Sequence, residues 1–290
     1  MMKKNLILAM FLAMVFESCA VSVSSETKEA IVPSKNYVTK KVKVDDFNAI
    51  STSTSIDVVY TQTTGDTEVE IYAPENLMEY VKVKVDGGML KVSFQSEEKG
   101  KGINIKGKHE TEVRVSAPAV HSLQASSSGD IILKNGLQNA GEVSLKSSSS
   151  GDIKAGKISC DALEIEVSSS GDIELGNVEC ISLTTESSSA GDVSIESLKA
   201  ETVNVAVSSS GDVSLAGVCR SAKFEASSAG DIEADELKAE KVVARSSSAG
   251  DVTCYASESL EVSISSSGNV RYKGNPKQIL NHSKGLKKMD

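Results

Sequence analysis

Tryptophan is absent from the 290-residue chain, and aromatic residues make up only 4% of it. A core with few large rings suits a fold that grows along an axis, coil by coil, rather than around one centre. The same scarcity leaves no evident aromatic platform on which a sugar ring could stack. Basic residues are in deficit, 31 Lys and Arg against 40 Asp and Glu, for a net charge of −9. A nucleic-acid binder needs a basic stripe, so nucleic acid is not an expected partner; the acidic surplus favours solubility. The three histidines, His109, His121 and His282, are scattered and show no metal-ligand spacing. His121 aligns with positions that later repeats turn inward, so it reads as a core-edge or turn residue. No serine sits in a Gly-x-Ser-x-Gly elbow and no Cys-x-x-Cys pair occurs. Catalysis is therefore not expected, and no cofactor is required. Beyond the amino terminus no apolar run approaches the ~18 residues that a spanning helix needs.

What is present is a repeat. Ser-Ser-(Ser/Ala)-Gly-(Asp/Asn) recurs eight times, at Gly129-Asp130, Gly151-Asp152, Gly171-Asp172, Gly191-Asp192, Gly211-Asp212, Gly230-Asp231, Gly250-Asp251 and Gly268-Asn269. A spacing near 20 residues marks units that bury their apolar faces only by stacking on one another. Two residues after each glycine stands Ile or Val (Ile131, Ile153, Ile173, Val193, Val213, Ile232, Val252, Val270). Before it, runs such as Leu163-Glu164-Ile165-Glu166-Val167 alternate apolar and polar, the signature of a strand with one buried face. Each unit thus reads as strand, tight corner, short strand and a further turn near Gly156, Gly176 or Gly217. The expected fold is all-β: a right-handed parallel β-helix with coils of about 20 residues, eight of which span roughly 38 Å at ~4.8 Å per coil. The glycine suits a corner that needs positive φ or close backbone approach. Strand parity points the Ser two residues before it inward and the Ser three before it outward. The small residue just before the glycine implies a corner too tight for a larger side chain.

The flanks are different. Residues 1–18 read as a signal peptide, with Lys3 and Lys4 ahead of an apolar run from Leu6 to Phe16 that is too short to span a bilayer. Phe16-Glu17-Ser18-Cys19 resembles a bacterial lipobox, which implies cleavage before Cys19 and its lipidation. The alternative is an ordinary signal peptide with a Cys at its cleavage site. Two or more acyl chains anchor a protein stably to a membrane. Residues 19–36, rich in Ser, Glu and Lys, read as a flexible tether. Residues 37–120 are β-rich without the corner motif, and form either an antiparallel cap or early coils of the same solenoid. Asp86-Gly87-Gly88 reads as a hairpin turn and Gly100-Lys101-Gly102 as a loop, with Pro118 near the junction. The repeats occupy 121–272. The basic segment 273–290 reads as a polar end cap or tail.

Phe47-Asn48-Ala49-Ile50, Ile56-Asp57-Val58-Val59-Tyr60, the Gly87-Gly88-Met89-Leu90 turn and the Ser-Ser-Gly-Asp series together resemble the head GIN domain family of adhesin-like proteins, over about Tyr37 to Tyr272. The resemblance implies a β-helical fold and a secreted or lipid-anchored place in a bacterial envelope. It carries no catalytic residues.

The Asp column raises one chemical question. Carboxylates ~4.8 Å apart repel by ~0.9 kcal/mol per neighbouring pair even in water. Corner amides can offset this, and so can bound cations. Calcium wants six to eight oxygens, and one Asp per 20 residues with Ser hydroxyls supplies few, so the structural role is the expectation and calcium the alternative. Cys160 and Cys180 are each nine residues past their glycine and stack on adjacent coils, within reach of a disulfide; the other reading is two small thiols buried in one ladder. Cys219 and Cys254 read as core residues. The function that follows is a non-enzymatic, lipid-anchored envelope protein, on the outer membrane, presenting an adhesion surface to a protein or glycan ligand. The alternatives are a polysaccharide-binding or polysaccharide-degrading β-helix and a self-associating scaffold, a homo-oligomer paired through open strand edges.

Overall fold

The computed structural model describes residues 30–95, 103–281 and 283–290. The signal segment, Cys19, the Gly100-Lys101-Gly102 loop and His282 lie outside the described residues.

The first strands are β1 (Tyr37–Val42), β2 (Ala49–Thr54), β3 (Asp57–Gln62), β4 (Glu68–Pro74), β5 (Val81–Asp86), β6 (Met89–Phe94) and β7 (Glu112–Ala117). The repeats supply β8 (Ser122–Ser127), β9 (Ile131–Leu133), β10 (Glu142–Ser149), β11 (Ile153–Ser159), β12 (Ala162–Ser169), β13 (Ile173–Glu179) and β14 (Ser182–Ser189). From there the second turn smooths out and strands run through it: β15 (Val193–Ser209), β16 (Val213–Ala226), β17 (Ile232–Ser246) and β18 (Asp251–Ile264). The chain closes with β19 (Asn269–Lys273), β20 (Gln278–Asn281) and β21 (Leu286–Lys288). Equivalent strands of successive repeats pair in parallel, in register through β14 and with local register shifts at the second turn from β15 onward, giving a β-solenoid of about eight turns.

Residues 37–120 turn out to supply both a cap and coils. β2 pairs in parallel with β6 on one side and β8 on the other, and β3 likewise lies between β7 and β9. The coil made of β2 and β3 is therefore inside the stack, although the chain builds the outer coil, β6 and β7, after it. Beyond that outer coil the pairing turns antiparallel: β5 on β6, β4 on β7 and β1 on β4. The β5–β6 hairpin turns through Gly87 and Gly88, both at positive φ (60° and 78°), the backbone that a two-residue primed turn requires.

Two boundaries read from the sequence move. The stretch read as flexible tether is fastened over its last residues: Ile31 bridges Ile105, the Ser34 amide donates to Asn76 Oδ1 at 2.8 Å, and Asn76 donates back to the Val32 carbonyl. The segment 273–290 is not a loose tail either. β20 pairs with β18 and β21 with β19, adding one more coil below the last corner repeat.

The core is a set of columns along the axis. One runs Ile50, Leu123, Leu145, Ile165, Thr185, Val205, Phe224, Ala244, Val262, each residue beside the next in register and all buried. The bulk of Phe224 is taken up by the small Ala244 below it, as close packing in a fixed coil spacing demands. The columns after the glycine, Ile131 to Val270, are likewise buried, as are Cys219 and Cys254.

Candidate functional surface

The corner is built from six residues, and the structure redistributes their roles. All eight glycines are buried, yet none of them has positive φ. The left-handed residue is the Ser two places earlier: Ser127, Ser149, Ser169, Ser189, Ser209, Ser228, Ser248 and Ser266 have φ between 61° and 98°. That Ser is exposed rather than inward. Its conformation costs ~1–2 kcal/mol and is held by stacking: its carbonyl accepts the amide of the residue just after the equivalent Ser of the next coil, as in Ser170 to Ser149 at 2.7 Å. The glycine is required by close approach instead. A Cβ at Gly211 would lie 2.5 Å from the Gly191 carbonyl oxygen, and one at Gly230 would lie 2.6 Å from that of Gly211. The residue just before the glycine is exposed in every repeat, so burial does not explain its small size.

The inward position is four residues before the glycine. Ser147, Ser187 and Ser246 are buried there and donate to the carbonyls of Gly151, Gly191 and Gly250 at 2.6, 2.8 and 2.6 Å. Thr52 does the same to Ile56 at 2.6 Å, in the same column. Sequence reasoning missed this role; the extra Ser ahead of the Ser-Ser pair, as at Ser147-Ser148-Ser149, was its only signal. Val167 and Val207 flank Ser187 in the column. Ser187→Val is thus expected to change stability by no more than ~1 kcal/mol in urea denaturation, the lost hydrogen bond being offset by apolar burial.

The Asp column forms a hydrogen-bonded ladder. The amide of each Asp donates to Oδ1 of the Asp one coil earlier: Asp152 to Asp130, Asp172 to Asp152, Asp192 to Asp172, Asp212 to Asp192, Asp231 to Asp212 and Asp251 to Asp231, all between 2.8 and 3.0 Å. Asn269 continues it onto Asp251. At the other end the Asp130 amide reaches Asp57, a rung without a Ser-Ser-x-Gly motif. Among the described residues no three His, Cys, Asp or Glu converge on a metal position.

The ends of the ladder titrate in opposite directions. Burial pushes Asp57 above the ordinary carboxylate value of 3.8, and the Asp130 amide only partly offsets it. At Asp251 burial also raises, but hydrogen bonds from the Asn269 side chain, Arg271 and the Asn269 amide outweigh it and hold the carboxyl below 3.8. A depressed carboxylate stabilises the fold above its unfolded value and loses that contribution as pH falls through the folded one; a raised one stabilises at low pH and loses it as pH rises. Acidification below 3.8 is therefore expected to loosen the Asn269 amide while the Asp130 amide stays protected. Hydrogen exchange at the two amides checks this, and equal loss of protection would contradict it.

The outward faces are polar ladders. On the face of β8, β10, β12 and β14 the column Ser126, Ser148, Ser168, Ser188, Ser208, Ser227, Ser247 runs beside Gln124, Lys146, Glu166, Glu186, Ala206, Glu225, Arg245. Ion pairs cross between coils, Lys146 to Glu166 at 2.5 Å and Arg245 to Glu225 at 2.7 Å. Where Ala206 interrupts the long side chains a groove of about 610 Å³ opens, lined by Glu186, Ser188, Ser208, Glu225, Ser227 and Arg245 among others. A second hollow of about 590 Å³ lies by His121, Glu142, Ser144, Glu164 and Thr184. A third, about 480 Å³, is on the opposite face by Ile132, Lys154, Glu174 and Asn177. The residues lining all three belong to strands and turns of regular coils.

His121 is exposed, not inward; the chain leaves regular strand parity there, and its Nδ1 lies 3.2 Å from the Glu142 carbonyl. A small aromatic cluster escaped the sequence reading. Tyr37 stacks on Tyr72 at 5.2 Å, and Arg114 lies over the Tyr72 ring at 4.8 Å. The antiparallel pairing of β1 with β4 and β4 with β7 brings these distant residues together; only the outward parity of Tyr72 between Ile71 and Ala73 hinted at it.

Cys160 and Cys180 are on adjacent coils and are free thiols in this structure, as are Cys219 and Cys254. Burial raises Cys160 to about 11 and Cys180, Cys219 and Cys254 to about 12, with minor help from neighbouring acidic groups. Thiols held this high are protonated and slow to react at neutral pH. In the chain from Ala20, a thiol reagent at pH 8 is expected to label none of these cysteines natively and all four in denaturant; a denatured count of two would mean the Cys160–Cys180 bond forms.

No helix among the described residues is long and apolar enough to cross a membrane. No curated protein matches the chain. Among solved structures, a putative adhesin from Parabacteroides merdae is 22% identical, with a TM-score of 0.66 over 90% of this chain and 99% of the other. A putative adhesin from Parabacteroides distasonis is 20% identical, with a TM-score of 0.69 over 90% and 99%. A protein of that organism titled a putative lipid binding protein is also 20% identical, with a TM-score of 0.63 over 90% and 100%. At these identities the likeness establishes a shared fold. The model of the family described as "Putative auto-transporter adhesin, head GIN domain" matches residues 46–215 and 176–276, most of the chain, and the chain belongs to that family.

Proposed function

We propose that this chain is a non-enzymatic protein of the bacterial envelope, lipid-anchored through Cys19 on the outer membrane, that presents its β-solenoid as an adhesion surface for a protein or glycan ligand. The observation that carries the reading is the uninterrupted stack: coils of 18–22 residues, with ladders of Ser, Glu and Lys on flat faces and no described loop long enough to wall a catalytic cleft. Membership of an adhesin family and the fold shared with proteins titled adhesins support it. Its test has two parts. Labelled fatty acid should enter the wild type and not Cys19→Ala, with the labelled protein in the outer-membrane fraction. The chain from Ala20 should bind specific spots on a glycan and matrix-protein array. Failure to label and a blank array would together overturn the reading.

A second reading is a polysaccharide-binding or polysaccharide-degrading solenoid. The groove at Ala206, with hydroxyls recurring at each coil beside carboxylates, favours it. A polysaccharide panel decides: retention or chain cleavage supports it, and neither on any polymer removes it.

A further inference from the structure

The two ends of the stack are finished differently. At the amino-terminal end the antiparallel strands β1, β4 and β5 lie over the outer coil, and Leu77 in the turn Glu75–Leu77 is fully buried. The opposite end stops on β20 and β21, four and three residues long, with no described strand beyond them. Ile279 lies beside Leu260 in the inward column, so it is the last rung of that column among the described residues, and it is 42% exposed. Leu280, next along β20, is turned to the outer face and is 46% exposed. Lys277 directly precedes β20, Lys284 lies between β20 and β21, Lys287 and Lys288 are on β21, and after Glu261 the only acidic residue is Asp290. Lys288 donates to Asn275, and Lys277 lies 3.7 Å from Glu258. Lys284 and Lys287 have no acidic partner among the described residues.

We propose that this end of the solenoid is a docking surface for an anionic lipid bilayer, entered at headgroup depth by Ile279 and Leu280 while the four lysines meet lipid phosphates. An interfacial site combines buried apolar side chains with basic residues in this way. The chain's overall charge of −9 makes the basic end a local exception rather than a general property of the surface. Other occupants fit less well. A second copy set end to end would meet Lys40, Lys82 and Lys84 on the edge strands of the opposite end, where Lys41 is already ion-paired with Glu68 and Glu70, and a copy docked through the same end would oppose the same four lysines. Short edge strands bearing lysine also discourage strand addition. A soluble polyanion would satisfy the lysines and leave both apolar side chains in water. At headgroup depth the open backbone edges of β20 and β21 stay hydrated, avoiding the cost of bare polar groups in hydrocarbon.

The proposal rests on the display reading above for its biological direction. The chain enters the body at the capped end, where Ile31 bridges Ile105. An anchor at Cys19 would hold that end to its own membrane and point the basic end outward, toward a second one.

Vesicle co-sedimentation of the chain from Ala20, which keeps every described residue, tests it. Vesicles of phosphatidylcholine with about one-third phosphatidylglycerol should bind the protein, less so as salt rises, and pure phosphatidylcholine should not. Ile279→Ser/Leu280→Ser and Lys284→Glu/Lys287→Glu should each weaken binding by at least about tenfold, with unchanged circular dichroism and denaturation midpoint. Lys82→Glu/Lys84→Glu, at the other end, should bind like wild type. Absence of binding to anionic vesicles, wild-type binding by either end variant, or Ile279→Ser/Leu280→Ser binding dextran sulfate and vesicles alike would overturn the proposal. Array binding without vesicle binding would remove this proposal and leave the display reading intact. Vesicle binding by a chain that takes up no lipid at Cys19 and gives a blank array would do the reverse.

Discussion

Gly211→Ala is expected to destabilise the solenoid by about 3 kcal/mol or more, read as a lower urea midpoint. The added Cβ would lie 2.5 Å from both the Gly191 carbonyl oxygen and Ser187 Oγ. The first is backbone held in the stack, and the second is already engaged with that same carbonyl, so neither can retreat cheaply. Gly156→Ala supplies the comparison, since nothing lies within 4 Å of its added Cβ and its φ is not positive. It should change stability by no more than ~0.5 kcal/mol, and a gain is consistent with the reduced freedom of the unfolded chain. Gly176 is in the same column one coil on, yet its Cβ would lie 2.6 Å from the Gly156 carbonyl. Gly176→Ala should therefore behave like Gly211→Ala. Equal effects at Gly156 and Gly176 would show that chain entropy, not close approach, sets the requirement.

Replacing Asp172, Asp192 and Asp212 together by Ala should cost about 3–6 kcal/mol more than replacing them by Asn, because three corner amides lose their acceptors at ~1–2 kcal/mol each while the relief of charge repulsion is common to both. Replacing the same three by Asn should cost no more than ~1 kcal/mol in all, since the amide oxygen still accepts and ~0.9 kcal/mol of repulsion per neighbouring pair disappears. Asn269 already occupies this column and is stacked on Asp251 in the same way. The pair of triple variants also separates ladder from cation site. If the carboxylates serve the backbone, millimolar calcium should leave the melting temperature of the wild type where it is. A calcium-dependent rise in the wild type that the Asn variant lacks would turn the column into a cation site.

Some of this was legible from residue order and some was not. The period near 20 and the columns after each glycine are written along the chain, and the stacking follows because an apolar column can be buried only by its own repetition. The inward Leu163, Ile165 and Val167 obey strand parity and lie where alternation puts them. Parity fails at the corner itself, because the left-handed Ser reverses the backbone and turns the Ser two before the glycine outward. His121 fails for a related reason, as it precedes the first regular rung of β8.

What the sequence determined by itself is the repeating unit: its strands, the place of its corner and the direction in which it stacks. Those depend on neighbours a few residues apart and on one repeating register. The tertiary structure alone decided that β6 and β7 lie outside β2 and β3, that Asp57 is the first rung of the ladder, that Tyr37, Tyr72 and Arg114 meet, and that the basic last residues form a further coil on β18 and β19. The first three join segments whose separation follows no period, and the last coil lacks the corner motif, so pairing geometry and the need to cover one end of the stack, rather than local pattern, fixed them.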